Sequence, residues 1–289
     1  MNIVIPTYYR HFDYNINFIN SFNKYCLDKD KVNIYFILDS FEIEDFNDKI
    51  KDIKTNNIII LNLIELRNLL IGDEKESWVT GNKFGHQSVK KLFASLYIKD
   101  DYLVLDSENL CLKEFYMKDI FNGLKTKPLL STINLYQDTQ LKVQENCATI
   151  LTYLTDKWYF IKSYWFYEYN IVNQMITYLR EGRDNIFTYL KNQVIFEYQL
   201  YCQFAEQHEL KEIIEVEELL TFDINKLLYE KKCNFEHICS AINDDNIDWY
   251  CELLNKLDER IVRLHWMDEK HKDYIINNTN VCIGTFHWD

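Results

Sequence analysis

The chain has 289 residues, of which 47% are hydrophobic, and this length and composition suffice to bury one substantial core. Its 45 acidic residues outnumber its 32 basic residues, which gives a formal net charge of −13. A surface of that sign repels phosphate backbones, and no stripe of basic residues offsets it, so the composition argues against nucleic acid as a partner.

Short apolar runs alternate with helical periodicity through the first half of the chain. The predicted strands are 2–5, 32–38, 58–63 and 102–105, and the predicted helices between them are 12–26, 43–53 and 84–98. Continuous apolar strands separated by helices are typical of a mostly parallel sheet with helices on both faces, so we expect an α/β fold. Farther on, the pattern predicts a strand over 129–135 and helices over 167–180 and 194–207. From Lys211 onward it is acidic and mostly helical.

Neither export nor membrane insertion is expected from the sequence. The first residues, MNIVIPTYYR, lack the basic region and the cleavage site of a signal peptide. The longest apolar run, 58–66, is interrupted by Asn62 and Glu65 and falls short of the roughly 20 residues that a spanning helix needs. We therefore expect a cytoplasmic protein.

The eight cysteines are scattered through apolar segments and form no CxxC pair. This distribution indicates reduced core residues rather than a disulfide framework or a structural zinc site.

Ligands of parallel α/β sheets bind beyond the carboxyl ends of the strands, so the residues that follow each strand are the first candidates for a site. These residues are Pro6, Thr7 and Tyr8, then Asp39 and Ser40, and finally Asp106, Ser107 and Glu108. The six glycines are too dispersed to form a dinucleotide-binding or P-loop phosphate cradle. A diphosphate ligand would then require a divalent cation held by carboxylates.

The acidic turn Asp106-Ser107-Glu108 directly follows a hydrophobic strand and places two carboxylates two residues apart. Such carboxylates suit Mg²⁺ or Mn²⁺, which prefer oxygen ligands and leave positions open for substrate phosphates. The alternative interpretation is a polar turn that only caps the strand.

Four motifs carry a resemblance to a known family. They are VIPTY at 4–8, GHQSVKKL at 85–92, DYLVLDSE at 101–108 and FEYQLY at 196–201. In this order they resemble bacterial glycosyltransferase-like proteins of the DUF6492 type, which have the GT-A fold, over about the first two thirds of the chain. The sequence departs from the family's DxD-like pattern at Glu108, which stands where a second Asp is usual.

The resemblance implies a nucleotide-sugar-binding catalytic domain over residues 1–210 and a C-terminal helical extension over 211–289 that completes the site. It implies that Pro6, Thr7 and Asp39 lie near the nucleoside, and that Asp106 and Glu108 lie at the ribose and the metal. The further donor-binding candidates are Gln87, Lys90, Lys91 and Ser107. Thr7 and Asp39 are equally compatible with helix capping, and the lysines with a solvated helix face.

Glycosyl transfer by direct displacement needs a general base, and Glu197 in the FEYQLY motif is the candidate. Its alternative interpretation is a first-turn charge that favours the helix dipole. GT-A enzymes often bring a late histidine to the metal, which makes His287, ahead of His265, the expected third ligand. Both histidines are flanked by aromatic residues, and simple packing explains most such histidines.

The segment 158–167 contains seven aromatic residues among ten. Core packing explains most such rings, while a wall for the acceptor or contact with the inner membrane surface is the second interpretation. Lys157 and Lys162 then suit an anionic acceptor.

Together these features predict a metal-dependent, inverting glycosyltransferase that uses Mn²⁺ or Mg²⁺. The expected partners are a nucleotide-sugar donor and a glycan or glycolipid acceptor, and the resemblance implies a role in bacterial surface polysaccharide biosynthesis. Two alternatives stay open. One is a nucleotidyltransferase, which usually has the glycine-rich phosphate loop that this chain lacks, and the other is a non-catalytic glycan-binding relative.

Overall fold

The computed structural model describes residues 1–53, 57–71, 83–133, 138–159, 162, 164–181, 186–220, 224, 226, 235–265 and 267–286. The first elements are β1 (Asn2–Pro6), α1 (Phe12–Tyr25), β2 (Asn33–Leu38), α2 (Ile43–Ile50), β3 (Ile58–Asn62), α3 (Leu63–Ile71), α4 (Lys83–Ile98) and β4 (Tyr102–Leu105). They are followed by β5 (Asn109–Cys111), α5 (Met117–Thr126), β6 (Leu129–Ser131), α6 (Asp138–Leu151), β7 (Tyr164–Tyr167), α7 (Tyr169–Arg180), α8 (Ile186–Lys191) and α9 (Glu197–Gln207). The last are β8 (Ile213–Glu215), α10 (Ile247–Lys256), β9 (Ile261–Arg263), α11 (Glu269–Asn278) and β10 (Ile283–Thr285).

The central sheet has five strands in the order β3-β2-β1-β4-β7. The first four are parallel, and β7 runs antiparallel to β4, with Leu105 opposite Tyr164. Strands of this kind are covered on both faces, which explains why β1 and β4 are almost continuously apolar. The predicted α/β class with a mostly parallel sheet is therefore confirmed.

Alternate residues of each strand belong to two different hydrophobic clusters, one on each face of the sheet. Val4 and Val104 pack in the cluster that includes residues of α4, α6, α7 and α9. Ile3 and Leu103 pack in the cluster that includes residues of α1 and α5. Full burial of one such side chain contributes about 1.5 to 3 kcal/mol, so the two clusters fix the strand ends that carry polar residues.

The aromatic residues that the structure describes in the segment 158–167 belong to the core. Trp158 and Tyr159 are buried, and Tyr164–Tyr167 form the buried strand β7. Trp165 is buried as well, so the rings of Trp158 and Trp165 are not available for the contact with a membrane surface that the sequence suggested. No helix within the described ranges is long and apolar enough to cross a membrane.

The segment 211–289 contains α10 and α11, as its helical periodicity predicts, and it also contributes three strands to small sheets. Strand β8 pairs with β6, while β10 lies between β9 and β5. These backbone hydrogen bonds join the C-terminal segment to residues 109–131. The predicted division into 1–210 and 211–289 stays a prediction.

The cysteines lie where their apolar surroundings predict. Seven of them are buried, namely Cys26, Cys111, Cys147, Cys202, Cys239, Cys251 and Cys282. Burial raises the pKa of the Cys26 thiol to about 12, so this thiol stays protonated at neutral pH. Cys233 lies outside the described residues.

Candidate active site

The candidate site lies at the point where the strand order reverses. From β1 the chain continues to β2 on one side of the sheet, whereas β4 pairs with β1 on the other side. The carboxyl ends of β1 and β4 therefore diverge into a crevice, which is where open α/β sheets bind ligands. Thr7 follows β1 and Asp106 follows β4, so the two predicted turns meet at this crevice.

The acidic turn after β4 is fixed by Asn109, at the start of β5, and by Thr285 and Phe286 near the C-terminal end of the chain. The Asn109 amide donates a hydrogen bond to the Asp106 carbonyl at 2.7 Å, and the Thr285 hydroxyl donates to the Asn109 side-chain oxygen at 2.9 Å. The backbone N–H of Phe286 donates to the Glu108 carbonyl at 3.0 Å. Strand β10 thus holds the turn, an arrangement that the sequence did not predict.

Lys91 forms an ion pair with the Asp106 carboxylate. Its Nζ lies 3.6 Å from Asp106 Oδ1 and 3.4 Å from Glu197 Oε1. It also lies 3.4 Å from the centroid of the Trp165 ring, at which distance a cation is attracted to the ring face. Lys91 and Glu197 are both buried, so two carboxylates and a ring compensate one desolvated ammonium group.

The pKa of Asp106 is raised above its ordinary value, chiefly because its carboxylate is desolvated. Glu108 and Glu197 raise this pKa further, whereas Lys91 and Arg263 lower it. Its side chain nevertheless keeps 32% exposure, so the carboxylate is accessible from the crevice. A bound cation would stabilise the ionised form of such an accessible carboxylate.

A second ion pair lies at the end of β2. Lys90 Nζ is 3.3 Å from Asp39 Oδ2 and 3.4 Å from the Thr7 carbonyl. The Glu42 carboxylate accepts the backbone N–H groups of Asp39, at 3.4 Å, and of Tyr9, at 2.9 Å. The turns after β1 and β2 are therefore tied together, and Asp39 combines an ion pair with a position at the start of a helical turn.

His11 links the turns that follow β1 and β4. Its Nδ1 forms a hydrogen bond with the Ser107 hydroxyl and lies 3.5 Å from Glu108 Oε1. Ser107 Oγ in turn donates to Glu108 Oε2 at 3.1 Å. His11 was not among the site residues predicted from the sequence. It lies only five residues after β1, and residues just beyond a strand's carboxyl end lie at the crevice, so its position was a signal for the site.

The candidates that remain are Gln87, the Thr7 hydroxyl and the two histidines His265 and His287. Gln87 is exposed on α4, and the Thr7 hydroxyl accepts a hydrogen bond from the Asn15 amide at 2.6 Å, which holds the start of α1. His265 is buried just after β9. His287, the preferred third metal ligand, lies outside the described residues.

The acidic turn offers two oxygen ligands, the carboxylates of Asp106 and Glu108, to a divalent cation. Within the described part of the chain, no group of three His, Cys, Asp or Glu residues could hold a metal ion. Mg²⁺, however, is commonly bound through one or two carboxylates, with substrate phosphates and water completing the octahedron. Asp106 and Glu108 would supply the two protein ligands of such a site.

Fold and site together define an α/β protein with a mostly parallel sheet and a charged crevice at its topological switch point. The chain belongs to the DUF6492 family, described as a family of unknown function, whose sequence model matches residues 1–258. No curated protein has a matching sequence.

Two solved structures similar to this chain are glycosyltransferases. The apo form of mouse xyloside xylosyltransferase 1 has 6% sequence identity and a TM-score of 0.43, covering 74% of this chain and 85% of that chain. The galactosyltransferase LgtC, in complex with donor and acceptor sugar analogs, has 14% identity and a TM-score of 0.38, covering 68% of this chain and 72% of that chain.

Proposed function

We propose that this protein is a metal-dependent glycosyltransferase that moves a sugar from a nucleotide-diphosphate donor to a hydroxyl of a glycan or glycolipid. The observation that carries this proposal is the grouping of Asp106, Glu108 and Lys91 at the crevice between β1 and β4. A diphosphate bound there needs positive charge, and the six dispersed glycines provide no phosphate cradle.

Donor binding is assigned to the turns after β1, β2 and β4. Asp106 and Glu108 would hold Mn²⁺ or Mg²⁺, which supplies charge neutralisation for the departing diphosphate. Pro6, Thr7 and Asp39 would face the nucleoside, and Lys90, which contacts both Asp39 and the Thr7 carbonyl, would serve the diphosphate. Lys91 would keep the Asp106 carboxylate oriented toward the crevice.

In the proposed chemistry an acceptor hydroxyl attacks the anomeric carbon of the donor sugar as the nucleoside diphosphate leaves, with inversion. The hydroxyl proton passes to a general base, and Glu197 stays our candidate for that role. Its carboxylate is only 2% exposed and faces Lys91, so the role requires the acceptor hydroxyl to reach a buried oxygen. A test of Glu197 therefore has to distinguish the loss of base catalysis from the loss of its contact with Lys91.

The cellular setting is part of the proposal and is supported only by the likeness of the four motifs to bacterial glycosyltransferase-like proteins. That likeness favours surface polysaccharide assembly on the cytoplasmic side.

A thermal-shift panel tests the donor class. UDP-, GDP-, CMP- and dTDP-sugars are added with Mn²⁺ or with EDTA, and a ligand that binds the native state raises the melting temperature. We expect one nucleotide class to stabilise the protein only with Mn²⁺, and Asp106→Asn to abolish the effect. Asp273→Asn, an exposed carboxylate on α11, serves as the matched control.

Failure of every nucleotide sugar to stabilise the native chain with Mn²⁺ would overturn the proposal. Equal stabilisation with EDTA would show that donor binding does not require the metal. Metal-dependent binding without hydrolysis or transfer of the donor would instead identify a non-catalytic relative.

A further inference from the structure

Strand β3 has an unpaired edge. It is the outermost strand of the central sheet, and among the described strands it pairs with β2 alone. The Ile34 N–H donates to the Asn57 carbonyl at 2.8 Å, and consecutive residues of a strand direct their backbone groups to opposite edges. Alternate residues from Asn57 onward therefore face β2, whereas the N–H and C=O groups of Ile58 and Ile60 point away from the sheet.

This edge lacks the features that usually keep strands from pairing with another chain. Its sequence, IIILN at 58–62, contains no charged residue and no proline, and its register with β2 is continuous, so it has no bulge. Natural proteins protect exposed edges with charges, prolines or bulges, because an apolar edge otherwise recruits another strand. Ile58 and Ile60 are only half-buried. The composition of β3 is therefore typical of a strand that a partner covers.

A groove of about 820 Å³ lies beside this edge, between β3 and α2. Its apolar part consists of five half-buried isoleucines, namely Ile43, Ile50, Ile53, Ile58 and Ile60. All five pack against the hydrophobic cluster that includes residues of α1 and α5. A second apolar surface placed on the groove would extend this cluster and remove these side chains from water.

The groove has opposite charges at its two ends. Lys51 directly follows α2 and lies near the start of β3, because the chain passes from α2 to β3 within a few residues. Glu65 lies in the first turn of α3, just beyond Asn62, where β3 ends. The Ser40 hydroxyl donates to Asn62 Oδ1 at 3.1 Å, which keeps the segment before α2 at the Glu65 end.

This distribution of charge is self-complementary. A two-fold rotation brings the Lys51 end of one groove against the Glu65 end of another, whereas a parallel contact would bring like charges together. Asp48 Oδ1 lies 4.0 Å from Lys51 Nζ, but both side chains are exposed, so this ion pair is weak and leaves the ammonium group available. A second copy of the chain thus supplies both an unpaired strand and the complementary charges.

We propose that β3 pairs antiparallel with β3 of a second copy of this chain, about a two-fold axis at Ile60. Ile60 then faces Ile60 of the second copy, and Ile58 faces Asn62, with the outward N–H and C=O groups exchanged in each pair. The central sheet continues from one chain into the other, and Lys51 of each chain meets Glu65 of the other. This dimer does not depend on the proposed function.

Light scattering during size-exclusion chromatography of the full chain tests the inference over about a hundredfold range of concentration. We expect twice the mass of one chain at the upper end of the range. Ile60→Pro removes an N–H group that points away from β2, so the strand should stay in the sheet while the dimer weakens at least about tenfold. The mass of a single chain at every concentration would overturn the proposal and leave the edge to a different protein.

Charge exchange locates the two-fold contact. Lys51→Glu and Glu65→Lys should each weaken the dimer about tenfold, because each variant by itself places like charges together at both ends of the interface. An equimolar mixture of the two variants should restore the dimer. Each interface then joins the new carboxylate of one variant to the new ammonium group of the other, and the two native groups to each other. Lys256→Glu, at an exposed lysine on α10, is the matched control.

The three variants decide between the possible contacts. A dimer that is unchanged in both charge variants and in Ile60→Pro would lie elsewhere on the surface, which would overturn the proposal. Weakening in each charge variant without recovery in the mixture would contradict the antiparallel two-fold arrangement. If Ile60→Pro lowers the melting temperature, the charge variants still decide, because Lys51 and Glu65 are exposed.

Discussion

His11 Nδ1 lies 3.5 Å from Glu108 Oε1, so a histidine at the start of α1 contacts the carboxylate that ends the acidic turn after β4. The Ser107 hydroxyl hydrogen-bonds to both side chains. Glu108 is a metal ligand in the proposed function. Loss of a residue that orients a metal ligand typically lowers metal affinity about 10- to 100-fold.

His11→Leu should therefore weaken Mn²⁺-dependent donor binding about 10- to 100-fold, measured by calorimetry. His11→Asn should retain most of the affinity, since its amide nitrogen can take the place of Nδ1. His208→Leu, at an exposed histidine after α9, is the control. Donor affinity within twofold of the native value in His11→Leu would show that His11 does not orient Glu108.

Asp106→Asn should leave the metal-free protein at least as stable as the native chain at pH 7. Burial is the chief reason why the pKa of Asp106 is raised above its ordinary value of 3.8 in the folded state. Between pH 3.8 and the raised pKa, the folded chain therefore keeps a carboxyl proton that the unfolded chain has lost. The stability of the native chain relative to the variant should therefore fall as pH rises through that raised pKa.

Thermal melting of both proteins in EDTA from about pH 4 to about pH 7 checks this sign. Asp273→Asn should show no comparable change, because Asp273 is exposed on α11. A native chain that gains stability over Asp106→Asn as pH rises would mean that Lys91 and Arg263 outweigh the burial of the carboxylate.

Glu197→Gln should lower turnover about 10²- to 10⁴-fold if Glu197 is the general base, with donor affinity nearly unchanged. The contact of Glu197 with Lys91 at 3.4 Å provides the control, since Lys91→Met removes the same ion pair and leaves the carboxylate. Steady-state rates and donor affinities of both variants decide the role.

If Glu197 only positions Lys91, both variants should weaken donor binding to a similar extent, and turnover at saturating donor should change little in Glu197→Gln. That outcome would remove Glu197 as the base, and with it the reason for an inverting mechanism.

Gly284→Ala should destabilise the sheet that holds the acidic turn. A Cβ at Gly284 would lie 2.8 Å from Leu264 Cδ1, 3.0 Å from Phe286 Cε2 and 3.1 Å from Leu112 Cδ1. Overpacking of this kind costs about 1 to 3 kcal/mol, measurable as a lower midpoint of urea unfolding.

Gly123→Ala is the matched control, because the nearest atom to its added Cβ, Asp258 Oδ2, is 3.8 Å away. This glycine lies in α5, where alanine favours the helix by up to about 1 kcal/mol. Donor affinity should fall only in Gly284→Ala, since the chain continues from β10 to the Phe286 N–H that binds the Glu108 carbonyl. Equal unfolding midpoints in the two variants would rule out the close packing at Gly284.

The alternation of apolar runs and helical periodicity was enough to predict the first four strands of the central sheet. It was also enough to place Thr7, Asp39 and Asp106 at strand ends, because the end of an apolar run is a local property of the sequence. Helix α5 was omitted, although the spacing of Met117, Ile120, Phe121 and Leu124 gives it a buried face that the same rule would have found.

The sequence by itself determined which residues end the parallel strands, and therefore which carboxylates and lysines were candidates for the site. Only the tertiary structure decided their partners: His11 with Glu108, Lys91 between Asp106 and Glu197, and Thr285 against Asn109, 176 residues away. It also decided that Trp165 is buried beside Lys91 instead of lying on the surface. Local propensity fixes where a strand ends, because it depends on neighbouring residues, whereas a contact between distant segments depends on the packing of the whole sheet and its helices.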